Sequence, residues 1–330
     1  MHKEIQKYLS EYLSNADFEL TPIKKGGSDR QFFRVSLPDK TSFIFMHYGN
    51  EVEENAYWAG INKFLAGLDI CVPQIIAQDI KQHFLLLEDL GDVDLWSQRE
   101  LPWSSRRGYY FQVLTQIRRL HAYPLARIPA ELKLSESYGP RLYQWEYDYF
   151  LENFVREVCQ IKPPSSLFKE LGEELDALSA RLQKIEPSLI HRDFQSQNIM
   201  IKDGKPVLID FQGIRQGCLF YDLGSLICDP YVTFTAAERN ELISFYYELM
   251  KPAVSRDEFV NNFWEASVQR LMQALGAYGF LGLEKNKPAF FGHIGNGLGN
   301  LLIAADNVSG LDLLNDLATE CETILARKNY

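Results

Sequence analysis

The sequence predicts an α+β chain of two unequal parts, a small antiparallel β-rich lobe followed by a larger, mostly helical one. Three observations predict it. Residues 1–90 read as short strand-forming runs with one helical segment among them. Beyond them, apolar residues recur at helical spacing through most of the chain. A single β-like island, Leu189 to Phe211, lies inside that helical part. The expected division is 1–90 and 91–330, with the boundary at Glu88-Asp89-Leu90-Gly91-Asp92, where an apolar run gives way to acidic residues and glycine.

In order, Gln31-Phe32-Phe33-Arg34-Val35-Ser36-Leu37 is rich in strand formers, Pro38-Asp39-Lys40 is a turn, and Thr41 to His47 is a second strand. From Glu51 to Leu68, Val52, Ala56, Ile61, Phe64, Leu65 and Leu68 recur at helical spacing, with Gly67 near the end. Ile75-Ile76-Ala77 and His83 to Leu87 make a further hairpin around Lys81. Helical patterns then cover Ser104 to His121, Arg141 to Gln160, Ser166 to Ile185, Ala236 to Met250, Glu258 to Gly276 and Leu298 to Ala326. Pro163-Pro164 interrupts helix, because neither proline can donate a backbone hydrogen bond.

Composition narrows the function. The chain has 34 Lys+Arg against 44 Asp+Glu, a formal charge of −10. An acidic surface repels a polyphosphate backbone, so no nucleic-acid partner is expected. No apolar stretch approaches the ~20 residues that span a bilayer. The start, Met1-His2-Lys3-Glu4-Ile5, carries charges where a signal peptide is apolar. A cytoplasmic protein with no membrane partner is expected. Cys71, Cys159, Cys218, Cys228 and Cys321 are odd in number and dispersed, which excludes a disulfide framework and a C-x-x-C zinc site.

The chemistry lies in the island. Two apolar runs, Ile199 to Ile201 and Val207 to Ile209, flank Asp203-Gly204-Lys205, a strong hairpin signal. Closing that hairpin brings Asn198, before its first strand, beside Asp210, after its second. An amide oxygen and a carboxylate suit Mg²⁺, a hard cation that prefers oxygen ligands. Asp193 lies one loop earlier. His191-Arg192-Asp193 with Asn198 completes the H-R-D-x-x-x-x-N catalytic loop of kinase-fold phosphoryl transfer, and Asp210-Phe211 supplies the second metal ligand. Gln212 departs from the glycine of D-F-G. In this protein-kinase-like bilobal fold Asp193 would take or orient the acceptor hydroxyl's hydrogen, Asn198 and Asp210 would hold Mg²⁺ against the phosphates of ATP, and His191 would fix the loop.

On the nucleotide side, Lys24-Lys25-Gly26-Gly27-Ser28-Asp29-Arg30 precedes the Gln31 strand. Gly26 and Gly27 allow backbone N–H groups to approach phosphate oxygens, with the Ser28 hydroxyl assisting. Glu53 and Glu54 offer an acidic partner for a phosphate-binding lysine. The strand where that lysine is expected, Phe43-Ile44-Phe45-Met46-His47, contains none. Arg30, Arg34 or His47 is an available substitute, or the pocket relies on backbone donors and metal. Leu87-Glu88-Asp89 is the expected hinge, binding the adenine edge through backbone groups.

These motifs resemble the aminoglycoside-phosphotransferase and choline-kinase superfamily, through His191 to Asn198, Asp210 and Tyr221-Asp222-Leu223. Within it the chain resembles the bacterial branch that phosphorylates N-acetylmuramate and N-acetylglucosamine at the anomeric position. That narrower resemblance rests on Asp210-Phe211-Gln212, Tyr221 to Leu226 with Asp229, Gly27 to Val35, Leu85 to Asp92, and Trp264 to Leu275 containing Gln269-Arg270. It implies an ATP- and Mg²⁺-dependent kinase acting on a small hydroxylated substrate, with Asp222 bracing the catalytic loop. If buried, that carboxylate needs donors, from Arg192 or from backbone amides. Antibiotic-modifying relatives usually carry glycine in place of Arg192 and Asp-Trp-Glu in place of Asp210-Phe211-Gln212.

Two other readings remain open in the sequence: a kinase for an amino alcohol such as choline, and a non-catalytic kinase-fold nucleotide-binding or scaffolding protein. Trp145, Glu146 and Asp148 are candidate acceptor contacts, since aromatics beside carboxylates can stack on a sugar and bind its hydroxyls; they can equally be helix core and solvent face. Gly295-Asn296-Gly297-Leu298-Gly299 lacks the preceding strand of a dinucleotide site and reads as a loop before the last helix.

Overall fold

A computed structural model describes residues 2–13, 17–23, 30–49, 52–162 and 164–328. Among these residues, Glu19–Ile23 (β1), Gln31–Ser36 (β2), Ser42–His47 (β3), Ile75–Asp79 (β4) and Phe84–Glu88 (β5) form one antiparallel sheet in the order β1-β2-β3-β5-β4. The segment from Glu53 begins as a 3₁₀ turn and becomes regular helix only over Trp58–Gly67 (α2).

The sheet is covered on both faces, which explains the unbroken apolar run of β5. Phe45, Phe84 and Leu86 pack with Ile5 and Leu9 of an N-terminal helix, His2–Tyr12 (α1). Met46, Leu85 and Leu87 face the other way, into the main core with Trp58, Ile61 and Leu65 of α2. The α1 helix is an addition to the sequence reading, which placed one helix among these strands. Its apolar residues do recur at helical spacing, but eleven residues make a marginal helix alone, so α1 depends on tertiary packing.

The large lobe contains Trp103–His121 (α3), Pro140–Phe150 (α4), Ser165–Leu182 (α5), Leu219–Ile227 (α6), Ala236–Met250 (α7), Arg256–Leu283 (α8), Ile294–Asp306 (α9) and Asp312–Lys328 (α10). An eight-residue π-helical stretch, Leu151–Val158, continues α4. Helix α8 is central, packed against α4, α6 and α9. Close approach uses glycine: a Cβ on Gly224 of α6 would lie 2.9 Å from Ser267 Cα, and one on Gly276 of α8 would lie 2.9 Å from Tyr149 O. Two short antiparallel pairs complete the lobe, Ser188–Ile190 (β6) with Arg215–Gly217 (β9), and Ile199–Lys202 (β7) with Lys205–Leu208 (β8).

The C-terminal helix predicted over Leu298 to Ala326 is two helices, broken after Asp306; Gly310 adopts φ +76°, a conformation that ends regular helix. The glycine-rich segment before it is not a loop. Gly295 to Gly299 lies within α9, where the Asn296 side chain donates to the carbonyls of Pro230 and Val232 at 2.8 and 3.2 Å. Tertiary contacts override the low helix propensity of glycine there.

Candidate active site

The loop after β6 is held by two buried carboxylates. Asp222, on α6, accepts the N–H of His191 at 2.7 Å and that of Arg192 at 2.8 Å. His121 Nε2 lies 2.9 Å from the same carboxylate, and His121 Nδ1 lies 2.6 Å from the Tyr246 hydroxyl. Of the donors anticipated for Asp222, the structure supplies backbone amides, with Arg192 contributing its N–H rather than its guanidinium, and it adds a histidine. Asp229, just beyond α6, accepts from Ser196 N–H at 2.7 Å and Tyr231 N–H at 2.9 Å, and burial raises its carboxyl pKa. Buried anions require such donors, and here three of them, the N–H groups of His191, Arg192 and Ser196, are the loop's own backbone.

Between those anchors, Asp193 sits between two guanidinium groups. Arg192 Nη1 is 3.6 Å from Asp193 Oδ2, and Arg270 Nη2 of α8 is 3.8 Å from Oδ1. Arg270 is buried and held by Ser225 Oγ at 3.2 Å, Gln273 Oε1 at 2.7 Å and Gln195 Oε1 at 3.3 Å. Arg192 adopts φ +78°, the left-handed region that favours glycine.

The β7–β8 hairpin forms around Asp203-Gly204, with Ile199 opposite Leu208. At its open end Ile209 N–H donates to the Asn198 carbonyl at 3.0 Å, and His191 Nε2 donates to the Ile209 carbonyl at 3.1 Å. Asn198 Nδ2 donates to the Asp193 carbonyl at 2.9 Å, so its amide nitrogen serves the loop and its oxygen is the end suited to a cation. Asp210 follows with φ +62°. An amide oxygen and a carboxylate are the donor types that suit a hard divalent cation such as Mg²⁺, and the Ile209–Asn198 backbone bond brings the two residues to the same end of the hairpin.

Arg30 meets Asp210. Its Nη2 pairs with Asp210 Oδ1 and its Nη1 donates to Gln212 Oε1 at 2.9 Å, while Gln212 Nε2 donates to Asp210 Oδ1 at 3.0 Å. Burial raises the Asp210 carboxyl, but the charge and hydrogen bonds of Arg30, with the bond from Gln212, outweigh it and hold the pKa below the usual carboxylate range. A cavity of about 110 Å³ opens here, lined by Arg30, Glu54, Arg192, Asp193 and Gln212 among others. Glu54 reaches it from the turn before α2, accepting from Ser135 Oγ at 3.2 Å, with Arg215 Nη2 at 3.8 Å.

Other anticipated residues lie elsewhere. Gly26, Gly27 and Ser28 fall outside the described residues. Arg34 does not line the cavity: it binds Asp89 at 2.7 Å and Asp92 at 2.9 Å, because β2 directs it to the segment joining the lobes. Glu88 pairs with Lys202 Nζ at 2.6 Å, and the same ammonium donates to the Asp89 carbonyl at 2.9 Å. His47, at the end of β3, rests edge-on against Phe84, with its pKa lowered by burial.

The acceptor trio does not form one surface. Trp145 is 45% exposed and stacks on Tyr149, whereas Glu146 is 1% exposed. Glu146 accepts from Tyr138 and Tyr221 hydroxyls at 2.8 and 2.7 Å and from Gln269 Nε2 at 2.9 Å, and burial raises its pKa. Asp148 is exposed. Neighbours on a helix point about 100° apart, which separates Trp145 from Glu146. Sequence reasoning missed Arg270 and Asp229 as parts of the site. Both lie in stretches that carry the narrower resemblance, and each is a charged residue within an apolar helical or turn pattern, which demands a buried partner.

A five-stranded sheet over a helical lobe, with this loop and hairpin between them, defines a kinase-fold phosphotransferase. Residues 19–253 match the model of the phosphotransferase enzyme family, and the chain belongs to that family. It is an ATP-dependent kinase. It is 25% identical over 308 residues to an N-acetylmuramate/N-acetylglucosamine kinase of Neisseria meningitidis, covering 86% of each chain. It is also 25% identical over 295 residues to a Pseudomonas aeruginosa protein of the same name, covering 84% of this chain and 80% of that one. A choline/ethanolamine kinase family protein from Mesorhizobium loti shares the fold with a TM-score of 0.62 at 13% identity, over 98% of this chain and 99% of the other. Among the described residues, no helix is long and apolar enough to cross a membrane.

Proposed function

We propose that this chain transfers the γ-phosphoryl group of ATP to a hydroxyl of a sugar or amino sugar of the N-acetylmuramate/N-acetylglucosamine kind. One observation carries the reading: the Asn198 side chain donates to the Asp193 carbonyl on a loop pinned by Asp222 and Asp229, and Asn198 stands at the open end of the hairpin whose second strand leads to Asp210. Asp193 receives the acceptor hydroxyl's hydrogen as that oxygen bonds to phosphorus and the bond to the ADP oxygen breaks. Asn198 and Asp210 would hold Mg²⁺, which would supply positive charge to offset that of the transferring group. His191, Arg192 and Asp222 keep the loop in place. Residues 1–90 serve the nucleotide and 91–330 the acceptor, with Glu88 and Arg34 securing the hinge.

Two lines support the sugar acceptor: the names of the relatives, and charge. Arg192 and Arg270 stand on either side of Asp193. A permanently cationic acceptor such as choline would meet two guanidinium groups at the reacting end, so the amino-alcohol reading is disfavoured. A scaffold would have no use for a complete oxygen donor pair.

The test is turnover with ATP, Mg²⁺ and N-acetylmuramate, N-acetylglucosamine or choline, read as ADP release. We expect ADP with the N-acetylated sugars, and a fall in kcat of about 10²–10⁴ in Asp193→Ala with an unchanged Tm. Turnover of choline alone would overturn the acceptor class. No change in Tm with any nucleotide plus Mg²⁺ would favour the scaffold.

A further inference from the structure

Two departures from the usual kinase pattern meet in space. The strand expected to carry a phosphate-binding lysine, β3, has the sequence Ser42-Phe43-Ile44-Phe45-Met46-His47, and the residue expected to be the glycine of D-F-G is Gln212. Far apart in sequence, these two sites are joined by Arg30, which lies just before β2 and whose Nη1 donates to Gln212 Oε1 at 2.9 Å. A glycine at 212 could not make that bond. Resting on the kinase reading above, we infer that Arg30 is the phosphate-side cation that stands in for the absent lysine, and that Gln212 is its positioning residue.

The geometry argues for a working role rather than simple cross-bracing. Arg30 has a side chain only 9% exposed, inside a cavity it shares with Asp193 and Arg192. Its planar fork addresses two acceptors with separate nitrogens, Gln212 with Nη1 and Asp210 with Nη2. A divalent cation taking Asp210 Oδ1 would displace Nη2 and the Gln212 amide N–H from that oxygen, and leave the bond from Nη1 to Gln212 Oε1 in place. The guanidinium then remains attached to Gln212 and presents the released N–H groups toward the anion that accompanies the cation. Guanidinium suits this task because its rigid fork matches phosphate geometry. Gln212 is fixed in turn by the 3₁₀ turn Phe211–Gly213, with Phe211 buried against Trp58 at a ring separation of 4.9 Å. Lys202, at the turn end of the β7–β8 hairpin, is bound to Glu88 and Asp89 at the hinge.

This arrangement has an unusual signature. Without nucleotide, Arg30 competes with a metal ion for Asp210; with nucleotide, Arg30 and the metal bind it together. Removing the guanidinium should therefore strengthen one ligand and weaken the other, which general destabilisation cannot do.

The experiment measures Mn²⁺ alone by electron paramagnetic resonance, and ADP with Mg²⁺ by calorimetry, on the full chain and on Arg30→Gln, Arg30→Lys and Gln212→Gly, with Tm recorded for each. We expect Arg30→Gln to bind Mn²⁺ several-fold more tightly and ADP at least tenfold more weakly. Arg30→Lys should recover part of the ADP affinity. Gln212→Gly should weaken ADP less than Arg30→Gln, and add no further loss in the double variant. Wild-type protein that binds ADP while Arg30→Gln binds it equally well overturns the role of Arg30 and leaves the kinase reading standing. Parallel loss of both ligands in Arg30→Gln also overturns it, in favour of a structural ion pair. Wild-type protein that binds no nucleotide overturns both.

Discussion

Asp222 Oδ2 accepts the His191 N–H at 2.7 Å, a side chain on one helix fixing the backbone of the catalytic loop 31 residues earlier. The same carboxylate meets Arg192 N–H and His121, and it is fully buried. Replacing it with alanine strands three polar groups. We expect Asp222→Ala to cost about 3–5 kcal/mol in stability, measured by urea unfolding, and to lower kcat even where the protein remains folded. Asp222→Asn keeps the shape but turns one acceptor into a donor facing a donor, so it should be destabilised too. Wild-type stability in either variant would show that the loop is held by other means.

The conformation of Arg192 separates stability from activity. At φ +78° a non-glycine residue carries about 1–2 kcal/mol of strain. Arg192→Gly relieves that strain and removes the guanidinium 3.6 Å from Asp193. We expect a Tm equal to or above wild type together with reduced kcat/KM. A variant with wild-type kcat/KM would mean that the arginine side chain has no part in turnover.

Much of this was legible in the sequence, and the omissions share a physical cause. The Asp203-Gly204 hairpin and the strands β2 and β3 depend on local chemistry, so turn residues and strand-forming runs sufficed. Arg30 with Gln212 and Arg270 with Asp193 are contacts 182 and 77 positions apart; periodicity carries no information about such distances. Helix α1 has the right spacing but is too short to be stable alone, and its partners Phe45 and Leu86 lie in strands. Glycines in α9 read as a loop because propensity is local, whereas Gly297 packs on Leu275 and Pro230 from elsewhere in the chain.

Charge at the acceptor end gives a selectivity prediction. Glucosamine and N-acetylglucosamine differ at one nitrogen, which is cationic only in glucosamine at about pH 6.5, below the pKa of a primary amine. Wild-type kcat/KM should favour the acetylated sugar. Arg270→Gln should narrow that preference by about tenfold, the scale of one screened charge–charge interaction, while Arg270→Lys should retain it. An unchanged ratio in Arg270→Gln, with Tm showing a folded protein, would remove Arg270 from acceptor selection.

Packing of α1 can be tested alone. Leu9 is fully buried against the sheet. We expect Leu9→Ala to lose about 2–5 kcal/mol in chemical denaturation, through lost transfer energy and the cavity left behind. A loss below about 0.5 kcal/mol, the level of surface substitutions, would mean that α1 docks without contributing to the fold.

The Arg30–Asp210 pair also predicts the acid limb of stability. The folded pKa of Asp210 lies below its ordinary value, so the folded state holds the carboxylate ionised more readily than the unfolded chain does. Its contribution is fully present above the unfolded carboxylate pKa of about 3.9 and is lost as pH falls through the folded value. Arg30→Gln removes the charge that opposes burial, so the Asp210 carboxyl rises and that contribution disappears. The Tm difference between wild type and Arg30→Gln should therefore be constant above about pH 5 and shrink below about pH 4. Thermal melts across that range read it directly. A difference that stays constant to pH 3 would mean that the ion pair adds nothing that titrates with Asp210.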